Sequence, residues 1–103
     1  MNANEKKSKN GKKDTVEVNL DARALVLMHV DNIKYESPKI ASRIAELGIR
    51  TDVLAEMSGK SDIMCLLRCP SLAEIKKDVE AIKKNVKGIT SIEVNVLLNV
   101  LQG

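Results

Sequence analysis

The 103-residue chain is predicted to form one α+β domain, an antiparallel sheet with two helices on one face. Three observations predict it. The length allows a single domain, the apolar pattern reads β-α-β-β-α-β, and both helical segments end in a Gly-Ile pair, Gly48-Ile49 and Gly88-Ile89. Two similar endings at this spacing indicate two copies of a βαβ unit.

The first half of the chain contains two strands and a helix. Val16–Leu20 alternates apolar and polar residues and predicts a short edge strand, whereas the unbroken apolar run Ala24–Val30 predicts a strand buried on both faces. Ser37 and Pro38 are typical of a helix start, with Ser37 as the N-cap and Pro38 at the first helical position. Gly48 ends this helix.

The second half repeats the plan. Arg50–Met57 and Ile63–Leu67 predict two strands joined as a hairpin. Ser71 and Glu74 form a capping-box pattern that begins the second helix. A strongly apolar strand is predicted from Ile89 to about Leu101. The resulting order is the ferredoxin-like split βαβ plan.

The charge is concentrated at one end. The chain has 17 Lys and Arg against 14 Asp and Glu, a net charge of +3. Residues 1–14 contain five lysines against Glu5 and Asp14, so residues 15–103 are neutral. We therefore divide the chain into a disordered basic leader, 1–14, and a folded domain, 15–103.

This composition argues against several protein classes. Basic residues are not spread over a folded face, and Tyr35 is the only aromatic residue, which disfavours nucleic-acid wrapping and base stacking. Two cysteines and one histidine are too few for a disulfide scaffold and poorly suited to zinc, so no metal or cofactor is indicated. No segment resembles a membrane span or signal peptide. A cytoplasmic protein with reduced thiols is expected, and Cys65 and Cys69 are interpreted as buried and inert.

The apolar pattern also predicts self-association. Two helices cover one face of a sheet, yet strands one, three and four are expected to be apolar on both faces. The opposed residues are Leu25 and Leu27 against Val26 and Met28 in strand one, and Met64 and Leu66 against Cys65 and Leu67 in strand three. A second copy is expected to cover the remaining face. The prediction is a homodimer with sheets packed face to face, or a larger ring such as an octamer.

Three segments resemble a known family. They are the apolar strand Ala24–Val30, the hairpin turn 57–62 with its Gly59-x-x-Asp62 pattern, and the strand entry Gly88-Ile89-Thr90-Ser91. In order and spacing they resemble the effector-binding (RAM) domain of the Lrp/AsnC transcription regulators, over about three quarters of the chain. The 23 residues before Ala24 cannot build the family's helix-turn-helix domain. The resemblance is therefore to a stand-alone, dimeric α+β barrel type of effector module.

The resemblance implies a non-enzymatic function. Such a module would bind a small molecule, an amino acid above all, and modulate transcription by co-assembly with full-length regulators, touching DNA only weakly or indirectly. The implied ligand-binding residues are Gly59, Lys60, Ser61, Asp62, Thr90 and Ser91. Backbone N–H groups of a glycine turn can hold a carboxylate, and an aspartate can hold an ammonium group.

Other interpretations of these residues stay open. Gly59 and Asp62 equally suit a plain β-turn, and Thr90 and Ser91 suit a strand entry. His29 is interpreted as a core or interface histidine. Three other functions compete: a small nucleic-acid or partner-docking protein that uses the lysine-rich leader, a dimeric α+β barrel enzyme, and an amino-acid-binding module of the ACT type.

Overall fold

The computed structural model describes residues 21–102 and confirms the predicted fold class. Its elements are β1 (Ala22–Val30), α1 (Ser37–Glu46), β2 (Thr51–Glu56), β3 (Ile63–Cys69), α2 (Leu72–Asn85) and β4 (Ile89–Val96). The leader 1–14 and the edge strand Val16–Leu20 lie outside the described residues. Neither of the two helices within the described residues has the length and apolar character needed to cross a membrane.

The four strands form one antiparallel sheet in the order β2-β3-β1-β4. β1 is central and pairs along most of its length with both β3 and β4, so that Val26 lies opposite Cys65 on one side and Val94 on the other. β4 and β2 are the edges of this sheet. A register shift between His29 and Val30 marks a bulge in the pairing of β1 with β4, which continues with Val30 opposite Ile89.

The core lies between the sheet and the helices. Alternate side chains of β1 and β3 point into it, because successive residues of a strand face opposite sides. Both helices add residues at helical spacing. The buried apolar set is Ala24, Val26, Met28, Val30, Ile40, Ile44, Ile63, Cys65, Leu67, Cys69, Ile75, Val79, Ile82 and Val86. Both cysteines are buried and free, as predicted.

The other face of the sheet is open. Leu25 and Leu27 of β1 and Met64 and Leu66 of β3 are only half-buried there, and Val53 of β2 is exposed beside them. We call these five residues the open apolar face. The prediction that the last strand is apolar on both faces is wrong: β4 presents Ser91, Glu93 and Asn95 to this side. Polar residues therefore border the apolar centre along one edge.

His29 is only partly as predicted. It lies on the same face as Leu25 and Leu27, but the structure leaves it exposed, so it is not a core residue. Its neighbours across the strands explain this. It stands opposite Ser91 of β4 on the side of the sheet without helices, and the β1–β3 register ends one residue before it, at Met28.

The boundary at α1 differs from the prediction. Glu36 is the N-cap, and its side chain makes no capping hydrogen bond. The Ser37 hydroxyl instead donates to Asn32 Oδ1 over 3.3 Å. At α2 the predicted cap is present, since Ser71 Oγ accepts the Glu74 N–H. The Glu74 carboxylate does not complete a capping box, because it pairs with Arg50 and Lys77.

The last strand is shorter than predicted and ends at Val96. Its pairing with β1 stops short of the first two residues of that strand. Ala24 is the last residue of β1 in register with β4, and one further hydrogen bond joins the Leu97 N–H to Arg23 O. Among the described residues no strand lies beside the segment 97–102, and Leu98 is 95% exposed.

Candidate ligand-binding site

Both parts of the predicted ligand set lie at one end of the sheet. The turn 57–62 joins the end of β2 to the start of β3, and Thr90 and Ser91 open β4 at the same end. β1 ends between them at Val30. Because adjacent strands are about 4.8 Å apart, the two parts are separated by roughly 10 Å across β1.

The turn 57–62 is a closed loop. The Met57 N–H donates to Asp62 O over 2.9 Å, which joins its two ends. Gly59 has a φ of +124°, a conformation that favours glycine, while Lys60 is exposed. Ser61 is 8% exposed and so faces the protein. The turn therefore presents one cation and the backbone around Gly59 to solvent.

Asp62 is the anchor of this turn. Its Oδ2 accepts the Val30 N–H over 2.8 Å, and its Oδ1 accepts the Asn32 side-chain amide over 3.3 Å. The bond from Val30 is the main cause that lowers the pKa of Asp62; Asn32 and His29 act in the same direction and partial burial opposes them. The carboxylate is therefore charged at neutral pH. Each oxygen retains a second lone pair that a ligand ammonium group could use.

Thr90 and Ser91 lie beside a different space. Both are exposed, and they line a shallow cavity of about 460 Å³ together with Lys83 of α2, with Val86 directly after that helix, and with Ile89 and Ile92. This cavity lies along the outer side of β4, away from the turn 57–62. The structure thus brings the six predicted residues to one end of the sheet without enclosing them in one pocket.

Two contributors were missed by sequence reasoning. Asn32 connects the turn to α1, because its side chain donates to Asp62 and accepts from the Ser37 hydroxyl. The second contributor is the backbone N–H of Val30. The polar pair Asp31-Asn32 directly after a buried strand was the only signal for Asn32, and nothing in the sequence marks a backbone group.

A second polar cluster surrounds Asp78. This buried carboxylate accepts the Arg50 N–H over 3.2 Å and the Cys69 thiol over 3.3 Å. Arg50 also reaches Glu74 at 3.0 Å. These contacts hold the α1–β2 connection against α2, so the cluster stabilises the fold.

The thiols are unsuited to nucleophilic chemistry. Burial raises the pKa of Cys65 to about 12. Burial and the hydrogen bond to Asp78 raise the pKa of Cys69. A thiol is a nucleophile only as thiolate, so both are unreactive at neutral pH. Among the described residues no group of three His, Cys, Asp or Glu side chains is placed to hold a metal ion.

Comparison with solved structures places this geometry among known proteins. The structure superposes on Escherichia coli AsnC with a TM-score of 0.72 at 14% identity, covering 93% of this chain and 64% of AsnC. The fold is shared with AsnC. The feast or famine regulatory protein of Mycobacterium tuberculosis in complex with L-methionine matches with a TM-score of 0.67 at 12% identity, over 80% of this chain and 53% of that protein.

A third match is similar in size to this chain. TTHA0845 from Thermus thermophilus superposes with a TM-score of 0.69 at 18% identity, and the match covers 80% of this chain and 99% of that one. No protein-family model matches the chain, and no curated protein matches it by sequence. At these identities the comparisons establish the fold, and this chain spans only about half to two thirds of the two regulatory proteins.

Proposed function

We propose that this chain is a stand-alone, oligomeric effector-sensing module of the Lrp/AsnC RAM type that binds an amino acid and modulates transcription. The observation that carries the proposal is the turn 57–62, anchored by Asp62 to the end of β1, within a fold shared with AsnC and with a methionine-bound regulatory protein. The module works without catalysis, by changing its assembly or its contacts with full-length regulators.

The proposed ligand contacts follow from the chemistry of the turn. The Lys60 ammonium group and the backbone N–H groups near Gly59 would hold the carboxylate of an amino acid, and the free lone pairs of Asp62 would hold its ammonium group. Ser61 contributes to the shape of the turn. Thr90 and Ser91 lie across β1 from the turn, so we propose that a second copy brings them close to it.

The open apolar face supports oligomerisation. Leu25, Leu27, Met64, Leu66 and Val53 form a continuous apolar surface over three neighbouring strands, since Leu25 lies opposite Leu66 and Val53 lies opposite Leu66 on the other side. A surface of this kind is stable when a second sheet packs on it. We propose a homodimer with sheets face to face, which in turn forms a ring such as an octamer.

The domain division belongs to the same proposal. Residues 15–103 would form the effector-binding domain and residues 1–14 a basic leader. The match to TTHA0845, which covers 99% of that chain, supports a module of this size acting alone.

The test combines thermal shift and native mass spectrometry on the full chain. Each of the twenty amino acids is added at millimolar concentration, and a ligand that binds the native state must raise the melting temperature. At least one amino acid should do so, and the raised melting temperature should be absent in Lys60→Ala and kept in the matched control Lys77→Ala. A monomer at micromolar concentration, or no shift with any amino acid, overturns the proposal.

A further inference from the structure

A second cavity, of about 310 Å³, lies on the helix side of the sheet. Four cationic side chains line it: Lys34 of the β1–α1 loop, Lys39 and Arg43 of α1, and Lys87 of the α2–β4 connection. We call it the basic cavity. Because three separate segments supply these cations, the cluster is a product of the tertiary fold and not the water-facing side of one helix.

The charges in the basic cavity are poorly compensated. Lys39 and Arg43 are four residues apart on α1, where like charges repel. Glu36 is the one carboxylate lining the cavity, and it stands 3.9 Å from Lys39, with both side chains more than 70% exposed, so this pair is weak. Within residues 21–102, Lys34, Arg43 and Lys87 form neither an ion pair nor a side-chain hydrogen bond. An anion would relieve this repulsion.

The cavity also contains the only aromatic ring of the chain, Tyr35. The ring packs directly on Gly88: a Cβ built there would lie 2.6 Å from Tyr35 Cγ and 2.8 Å from Ile40 Cδ1. Its backbone is also held, because the Tyr35 N–H donates to Asp31 O over 2.9 Å. The ring is therefore fixed in place, and its 38% exposed part faces the cavity.

We propose that the basic cavity binds a nucleoside phosphate, with the phosphoryl group among Lys34, Arg43 and Lys87 and the base against Tyr35. Lysine and arginine pair with phosphate oxygens, and an aromatic ring offers a stacking surface to any base. The volume is at the lower end of the range for ligand cavities, about 300 to 1,000 Å³, and suits a mononucleotide. This site goes beyond the proposed amino-acid binding, which uses none of these residues.

The single tyrosine gives a direct readout. Since the chain has no tryptophan and one tyrosine, tyrosine fluorescence reports on this cavity alone. AMP titrated into the full chain at low salt should quench it, with inner-filter corrections taken from free tyrosine, and calorimetry should give the same dissociation constant. If millimolar AMP does not quench the tyrosine fluorescence, the proposal is overturned.

Matched variants separate a site from general charge attraction. Arg43→Gln/Lys87→Gln removes two cations of the basic cavity and should weaken AMP binding about tenfold or more. Lys76→Gln/Lys84→Gln removes two exposed charges of α2 and should leave the dissociation constant within about twofold of the wild type. An equal loss in both variants contradicts a defined site.

Base recognition needs its own comparison. By calorimetry, AMP should bind wild type more tightly than ribose 5-phosphate, which has the same phosphate group without the base, and Tyr35→Leu should remove that difference while Tyr35→Phe keeps it. Circular dichroism verifies that both variants are folded; if Tyr35→Leu is not, the wild-type ratio of AMP to ribose 5-phosphate decides. Ribose 5-phosphate that binds as tightly as AMP overturns the nucleotide assignment.

Discussion

The Asp62 carboxylate accepts the backbone N–H of Val30 over 2.8 Å, just beyond the last pair of β1 and β3, Met28 opposite Ile63. The β1–β3 register does not extend to Val30, and Asp62 supplies the acceptor for the Val30 N–H. Asp62 therefore stabilises the fold whether or not it binds a ligand. Its structural role and its proposed ligand-binding role can be separated by experiment.

Replacing Asp62 with alanine should lower the urea midpoint of unfolding. The substitution leaves the Val30 N–H without its acceptor, and an unpaired backbone donor is unfavourable. Asp62→Asn should lower the urea midpoint less, because the amide oxygen of asparagine can still accept the hydrogen bond from the Val30 N–H. Equal midpoints for wild type and Asp62→Ala would show that solvent satisfies Val30 as well as Asp62 does.

The contribution of Asp62 should depend on pH in one direction. Its folded pKa is lowered, so its stabilisation is complete above the unfolded pKa of about 3.9 and is lost as the pH falls through the folded pKa. The difference in unfolding free energy between wild type and Asp62→Asn should be constant near neutrality and shrink below about pH 4. If this difference in unfolding free energy grew on acidification, the pKa of Asp62 would be raised by folding and not lowered.

Asp78→Ala should destabilise the protein by about 1 to 3 kcal/mol, since it leaves the Arg50 N–H and the Cys69 thiol without an acceptor. Asp52→Ala, at an exposed position of β2, is the control and should change the unfolding free energy by less than about 0.5 kcal/mol. Urea denaturation measures both. Similar losses in the two variants would contradict the role given to the buried carboxylate.

Gly88→Ala should lower the free energy of unfolding by about 1 to 3 kcal/mol, because the new Cβ crowds its neighbours. The strain of a side chain at a φ of +97° adds to this loss. Gly48 has a φ of +72° but open space around it, so Gly48→Ala isolates the backbone strain, about 1 to 2 kcal/mol. In a Tyr35→Ala background the penalty of Gly88→Ala should fall towards that of Gly48→Ala. An unchanged penalty would show that Tyr35 does not press on Gly88.

Leu66→Glu should convert the proposed dimer into a monomer, because it places a charge at the centre of the open apolar face. Leu72→Glu is the control: Leu72 is an exposed leucine on α2, away from that face. Native mass spectrometry at micromolar concentration distinguishes the two. If Leu72→Glu dissociated the dimer and Leu66→Glu did not, the dimer interface would lie on the helix side of the sheet.

Element order was predictable because periodicity is local: the apolar run in Ala24–Val30 and the helical spacing after Ser71 are properties of each segment. The end of β4 was not, because it depends on where β1 begins to pair. The role of Asp62 was not predictable either, since its partner, the Val30 N–H, is a backbone group beyond the end of the β1–β3 pairing. The turn 57–62 was found because Gly59 needs a positive φ.

The central position of β1 has a consequence for how the chain folds. Ala24 pairs with Leu67 and with Val96, so its partners are about forty and about seventy positions further along the chain. Among the four described strands, only β2 and β3 are consecutive strands that form a hairpin. During synthesis β1 is therefore made well before its partners β3 and β4, and we expect rapid formation of the β2–β3 hairpin followed by slow closure around β1.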